Sequence, residues 1–327
     1  MTRTVLGARE ILLARSKIKK YLPYSPLVHS ENLSRRINGE VWLKLENRQP
    51  TGSFKVRGAL SKLSNLDDYS QGVVTGSAGN HGLGVAFAAC VLGIDVVTIF
   101  VPETAPDAKI SRLQEFGIDL RIAGQTYEDA HQEAVQFSKA NGVPYIPAYD
   151  DEQIIAGQGT IGLEIMEQYP DVEVVFIPVG GGGLIAGAAV AVKELSPAVQ
   201  IMGVQAEASP SAYLSLKDGI PYDPYDHEPT IADGLAGGFG AKPFYIARSL
   251  IDQILLFDEY TLRRCIYTLI DRERILAEAS GAVAIAPLLD PKENVIGKRV
   301  VCVISGGNLE TKLLRDILNE FSQDKSD

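Results

Sequence analysis

The spacing of apolar residues divides the chain into alternating helix-like and strand-like stretches. Residues 8 to 22 carry apolar side chains at helical intervals among charges, which predicts an amphipathic helix, and Pro26 makes the following YSPLVHS stretch an extended arm. Glu31 to Ile37 predicts a short helix and Val41 to Glu46 alternates as a strand. Thr51-Gly52-Ser53 reads as a tight turn ending in a cap for an amphipathic run in which Phe54, Val56, Ala59, Leu60 and Leu63 are packing candidates. Lys55 then falls in the first turn of a helix, where the dipole and packing depress an ammonium pKa.

From Gly72 the pattern tightens into strand VVTGS, helix 80 to 90, strand 95 to 101, helix 107 to 116, strand 119 to 122 and helix 126 to 141, with Tyr145 to Tyr149 as a last strand and return linker. A long helix at 151 to 169 follows, then strand 172 to 179, a glycine run with its helix to Leu195, and strand 201 to 206. Pro, Asp and Tyr crowd residues 221 to 229, which read as a surface loop. Strand 252 to 257, helices 259 to 272 and 280 to 289, strand 299 to 304 and a helix from Asn308 complete a second, larger unit. The expectation is an α/β protein of two domains, parallel sheets flanked by helices. Residues 72-149 form a small domain inserted between 1-71 and 150-327, and the cleft between the domains is the expected site.

Composition narrows the function without changing this picture. At 327 residues, 46% hydrophobic, the chain is long enough for two domains with a well-buried core. A net charge of -10 without any basic tract argues against nucleic acid. Charges interrupt the N-terminal apolar positions, so neither a secretory signal nor a membrane span is expected there. Cys90, Cys265 and Cys302 lie far apart in apolar patterns and read as reduced core residues of a cytoplasmic protein, with no zinc spacing.

Chemistry enters with the glycines. Gly180-Gly181-Gly182-Gly183-Leu184 follows the strand VVFIPV and opens the helix AGAAVAV, so a backbone without side chains can close around an oxyanion and meet free helix N–H groups. Dinucleotide spacing and the Lys-Ser/Thr of an ATP loop are both absent, which argues against nicotinamide or nucleotide chemistry. Ser77-Ala78-Gly79-Asn80-His81 also joins a strand to a helix N-terminus and makes a second anion site. Ser305 closes a strand ahead of Gly306-Gly307-Asn308 and caps the final helix.

Taken in order, TGSFK at 51 to 55, SAGNHG at 77 to 82, GGGGL at 180 to 184 and SGGN at 305 to 308 resemble the fold-type II pyridoxal-phosphate (PLP) enzymes, in particular the threonine/serine dehydratase and serine racemase group. The resemblance covers nearly the whole chain and implies a tryptophan synthase β-like, two-domain α/β fold. It implies that Lys55 binds PLP covalently through its amine and takes the substrate α-proton, with Phe54 packed beside the cofactor. It gives the phosphate to Gly180, Gly181, Gly182, Gly183 and Leu184, the phenolic oxygen to Asn80 and the pyridine nitrogen to Ser305. Ser77, Ala78, Gly79, Asn80 and His81 would line the substrate, with Ser77, Gly79 and His81 on its carboxylate. Glu278 matches an acidic residue near the ring, Gly234 begins a loop closing over the cofactor, and Ser25 and Pro26 belong to an arm near it. The 157 to 160 segment, GQGT, matches a helix bordering the cleft without a catalytic role. A cation, monovalent or divalent, is implied near Glu207, although Tyr213 stands where the racemase pattern has an aspartate.

The resemblance also fixes the leading expectation for activity: α,β-elimination of water from an L-β-hydroxy amino acid, generically L-threonine or L-serine, to a 2-oxo acid and ammonia. Dehydratases of phenylserine, hydroxyaspartate or the hydroxydiaminobutyrate of hydroxyectoine breakdown stay open, though no extra arginine in the cleft motifs favours hydroxyaspartate. Racemisation is opposed by Ala78, because the racemases place a serine there as second proton donor. β-Replacement relatives carry other residues around the lysine, and a non-enzymatic amino-acid or anion sensor would have no use for Lys55. The expected partners are a small amino-acid substrate and a second copy of the chain in a homodimer, with no nucleic acid and no membrane. The chain leaves no room for a C-terminal regulatory module, which favours a catabolic or specialised role over feedback control.

Overall fold

The computed structural model describes residues 6–289 and 295–322, and among these nine strands form two sheets. They are β1 (Leu27–His29), β2 (Glu40–Leu45), β3 (Val73–Gly76), β4 (Val97–Val101), β5 (Asp119–Ile122), β6 (Val174–Pro178), β7 (Gln200–Ala206), β8 (Gln253–Phe257) and β9 (Arg299–Ile304). The larger sheet has the order β1-β2-β9-β6-β7-β8, parallel except for β1, and the smaller is the parallel β3-β4-β5. Strands β4, β6 and most of β9 are buried on both faces, which explains their near-continuous Val/Ile runs.

Register places the chemistry. β2 pairs with β9 so that Leu45 faces Ile304, and β9 pairs with β6 through Val300–Val174 and Cys302–Phe176. The carboxyl ends of these three parallel neighbours therefore emerge on one edge. They lead into the Lys55 turn, Ser305 and the glycine run respectively. In open α/β sheets this is the edge where ligands bind.

The helix Lys55–Leu63 packs between the helices Asn80–Leu92 and Glu152–Gln168. Its Val56, Ala59, Leu60 and Leu63 are buried in one cluster with Val73, Val97, Ile99 and Val101 of the smaller sheet. The close approach depends on Gly157, where an added Cβ would lie 2.6 Å from Arg57 O. Behind this helix Arg57 is buried and bonds Glu46 (2.8 Å) and Glu164 (2.7 Å), while Lys44 reaches the same Glu164 at 2.6 Å. Two cations thus balance two carboxylates, and the cost of dehydrating them is repaid in orientation of the helix against β2 and Glu152–Gln168.

Several expectations need correction. Ser53 does not cap the helix: it makes an isolated bridge with Gly306, Phe54 takes the cap position without a side-chain bond, and the buried Ser53 hydroxyl has no partner. Residues 145 to 149 form no strand, only a bridge from Tyr145 to Val74. The first helix stops at Ile18. The 280 to 289 helix is split into Ala279–Ala282, a 3-10 turn at Val283–Ile285 and Ala286–Leu289. Ser211–Asp218 and Ala241–Ala247 are short helices that the periodicity did not reveal. Ser25 lies in the Arg57 network, its N–H donating to Glu164 Oε2 at 3.2 Å and its hydroxyl to Glu46 Oε1. Cys265 and Cys302 are buried, but Cys90 is exposed at the end of its helix.

Candidate active site

The Lys55 amine donates to the Ala148 carbonyl at 3.0 Å and stands 5.3 Å from the centre of the Phe54 ring. Protein surrounds it closely enough that lost hydration lowers its pKa to about 8, although part of the side chain reaches solvent. An amine in that range has a substantial neutral fraction near pH 7.5, the form that attacks an aldehyde or takes a proton. Phe54 N–H donates to Ser305 O at 3.0 Å, which ties the lysine turn to the end of β9.

The glycine run makes the adjacent wall. Gly182 has φ +89°, a conformation in which an L side chain is strained, and it precedes the helix Gly183–Leu195. The helical ladder begins with Ala186 N–H on Gly182 O, so earlier N–H groups at this terminus face an incoming anion. Three neighbours seat the run: Cβ atoms added at Gly181, Gly180 and Gly182 would lie 2.3 Å from the Tyr149 ring, 2.8 Å from Gly234 O and 2.3 Å from the Phe239 ring. Gly234 is held in turn by its N–H bond to Ser280 Oγ at 2.9 Å. Leu184 is buried in the core behind the run.

On the opposite wall, the loop after β3 starts the helix Asn80–Leu92, whose first helical bond is Leu83 N–H to Gly79 O at 3.2 Å. The N–H groups of Asn80, His81 and Gly82 thus precede the ladder. Ser77 Oγ accepts from Gly79 N–H at 3.2 Å and shapes the loop, and Ala78 contributes only a methyl group. The His81 ring is buried, with Nε2 2.9 Å from Ile146 O. A carbonyl only accepts, so Nε2 carries the proton. Burial, and then the charge of Lys55, lower the imidazole pKa to about 3 and keep it neutral. His81 therefore offers an anion its backbone N–H, while its ring is committed to the 145 to 149 segment.

Asn80 joins the two walls. Its Nδ2 donates to Glu278 Oε1 at 2.6 Å, and Asn308 Nδ2 donates to its Oδ1 at 2.5 Å. Burial, then the charge of Asp233, raises the Glu278 pKa to about 7 against the opposing hydrogen bond from Asn80. Ser305 is buried and donates to Ser280 O at 3.2 Å. Lys109 Nζ bonds Asp233 at 2.8 Å and Arg112 bonds Asn308 Oδ1 at 2.7 Å, so two more side chains from the smaller-sheet unit cross to this edge.

Glu207 lies apart from this group. It is exposed, and its N–H donates to Phe257 O. Among the described residues no group of three or more His, Cys, Asp or Glu is placed to hold a metal ion. A cation at Glu207 would have no carboxylate cage.

Sequence reading also missed Tyr149, Asn308, Ser280 and Asp223. Tyr149 carried a signal in retrospect, since a glycine run needs a large neighbour to lean on. The Asp223 carboxylate, in the 221 to 229 loop, accepts from Tyr149 OH at 3.1 and 3.2 Å. No local pattern announces that bond.

The residues present fit a phosphorylated aldehyde cofactor. A poorly hydrated amine, a side-chain-free loop at a helix N-terminus, and polar groups at Asn80, Glu278 and Ser305 converge from separate elements on one strand-end edge. Comparison with known proteins agrees. A family model described as "Pyridoxal-phosphate dependent enzyme" matches residues 18–306. The chain is 40% identical to an L-threonine ammonia-lyase of Thermotoga maritima over 319 residues, 97% of this chain and 79% of that one. A solved threonine deaminase isoform 2 from Solanum lycopersicum superposes with a TM-score of 0.90 at 35% identity, covering 97% of this chain and 88% of that one. Maize serine racemase gives 0.89 at 27% identity, covering 98% of each. Among the described residues no helix is long and apolar enough to cross a membrane. The amine on its helix start, the glycine run and the matched span together make this chain a member of the pyridoxal-phosphate-dependent enzymes of fold type II, and a lyase of the threonine ammonia-lyase kind.

Proposed function

We propose that the enzyme is a threonine/serine ammonia-lyase that converts L-threonine to 2-oxobutanoate and ammonia, and L-serine to pyruvate and ammonia. The observation that carries this reading is Lys55, whose amine is held at Ala148 O beside the glycine run with its pKa lowered to about 8. The names borne by the 40% identical relative and the tomato structure support the substrate.

When bound, PLP would draw in the electron pair that C–H cleavage leaves on the substrate Cα. Gly180 to Gly183 and the helix start at Leu184 would hold its phosphate, and Asn80 and Ser305 would hold its ring substituents. Phe54 would pack beside the ring, Gly234 would lie over the phosphate loop, and Glu278 would act through Asn80. The N–H groups at Asn80, His81 and Gly82 and the Ser77–Gly79 loop would orient the substrate carboxylate. Lys55 Nζ takes the Cα proton, hydroxide leaves Cβ, and the elements of water are lost. The enamine released takes up one water and falls apart into the 2-oxo acid and ammonia, so the atoms balance. Ala78 has no exchangeable proton to return to the other face of Cα, which opposes racemisation despite the likeness to a serine racemase.

The same reading divides the chain into 1-71 with 150-327, around the larger sheet, and 72-149, around the smaller. It takes the enzyme as a cytoplasmic homodimer with a small amino-acid substrate. The deciding experiment follows the absorbance of the purified holoenzyme as L-threonine, L-serine and D-serine are added, with 2-oxo acid, ammonia and α-carbon configuration assayed together. Stoichiometric 2-oxo acid and ammonia from L-threonine or L-serine is the expected result. Inversion without either product would replace the reading with a racemase, and no response from any amino acid would remove it.

A further inference from the structure

Tyr149 stands where three parts of the site meet. Its ring packs on Gly181 and Gly183, its N-terminal neighbour Ala148 holds the Lys55 amine, and its hydroxyl donates to Asp223. Asp223 belongs to the segment that the sequence presents as an ordinary surface loop, yet it is firmly seated. Phe239 N–H bonds Tyr222 O at 2.8 Å, and the Asp223 carboxylate lies so near Gly238 that a Cβ there would be 2.2 Å from its Oδ1. Gly238 is therefore a residue that the loop requires.

The charges facing this carboxylate are unbalanced. Its proton affinity is raised by burial and by Asp150 and Glu128, against the Tyr149 hydrogen bond and the imidazole of His131. Glu128 and His131 lie on the helix Tyr127–Asn141, which comes from the smaller-sheet unit. Tyr127 of that helix has its own pKa raised to about 12 by burial, then by Glu128 and Asp223. The His131 ring is engaged by Tyr145 OH at 2.7 Å. Among the described residues none of the ion pairs formed by Lys or Arg involves Asp223, Asp150 or Glu128. The carboxylate keeps acceptor capacity beyond its one hydroxyl donor.

We propose that Asp223, anchored by Tyr149 at the outer end of the site, determines substrate choice: the enzyme prefers β-hydroxy amino acids whose side chain continues past Cβ to a cationic amine, a β-hydroxy diamino acid being the simplest. This rests on the elimination reading above and sharpens its substrate class. A cation there supplies the positive partner that the protein withholds, whereas a second carboxylate meets three like charges. L-Threonine, which ends in a methyl group, is accepted without that gain.

The test uses holoenzyme. Specificity constants are measured for L-threonine, 3-hydroxy-2,4-diaminobutyrate and 3-hydroxyaspartate. Dissociation constants are measured by absorbance titration for two ligands that lack the β-hydroxyl, L-2,4-diaminobutyrate and L-2-aminobutyrate. The expected result is a preference of about tenfold or more for the diamino member of each set, as close charge pairs give in measured cycles. Asp223→Asn should carry both ratios toward one, and Asp223→Glu should restore most of the preference. A wild-type binding ratio at or below one, or an Asp223→Asn variant that changes all ligands by the same factor, overturns the proposal. If Asp223→Asn does not fold, the wild-type binding ratio still decides. The two levels fail separately: L-threonine turnover without the diamino preference removes only the Asp223 assignment, and absence of any 2-oxo acid and ammonia removes the elimination reading.

Discussion

Glu278 gives the most direct check of the site's electrostatics, because it can be made on the apoenzyme. Its carboxyl is buried and accepts from Asn80 Nδ2, and its pKa is raised from 4.5 to about 7 by burial and by Asp233. The folded chain therefore holds this proton over a window, about pH 4.5 to 7, in which the unfolded chain has released it. Stability from this group is fully present below the unfolded pKa and is lost as pH rises through the folded one. Between pH 5 and pH 8 the loss comes to roughly 2 to 3 kcal/mol, at 1.36 kcal/mol for each pKa unit. Glu278→Gln cannot titrate, and its Oε1 keeps an acceptor for Asn80. The unfolding free energies of wild type and variant, from denaturant melts at both pH values, give a double difference in which any fixed packing cost cancels. The variant should gain roughly 2 to 3 kcal/mol on the wild type in going from pH 5 to pH 8. A difference that does not change with pH would refute the assignment of a shifted carboxyl to Glu278, whatever its absolute size.

Three further outcomes follow from the same geometry. PLP uptake by the apoenzyme, followed by absorbance, should accelerate with rising pH and level off above about pH 8, because only the neutral Lys55 amine attacks an aldehyde; Lys55→Ala should show no such profile. Gly181→Ala puts a Cβ 2.3 Å from the Tyr149 ring, an overpacking worth about 1 to 3 kcal/mol, and equilibrium dialysis should show weakened cofactor retention. Ala78→Ser supplies an exchangeable proton in the loop after β3, and chiral analysis should detect D-serine formed from L-serine at a rate above that of the wild type.

Much of the site was legible because its chemistry is local. A run of four glycines between a β-branched strand and an alanine-rich helix can be read without knowing what lies opposite, and so can SAGNHG at the next such switch or a lysine at a helix start. Strand periodicity also sufficed for two α/β units, since β4, β6 and β9 are continuous apolar runs. What the chain alone did not determine depends on distant partners. Ser25 seemed part of an arm near the cofactor, but the buried charges of Arg57, Glu46 and Glu164 hold it behind the lysine helix. The His81 ring was assigned to the substrate carboxylate, but a carbonyl 65 residues away takes its proton and leaves only the backbone N–H for that task. Asn80 meets Glu278 and Asn308 across 198 and 228 residues, and Tyr149 finds Asp223 across 74, in a segment whose composition signals only a loop. Local sequence determined which residues could bind an anion or carry an amine. Only the packing of the two sheets decided which polar groups face one another, because hydrogen bonds and buried charges depend on distances that residue spacing does not set.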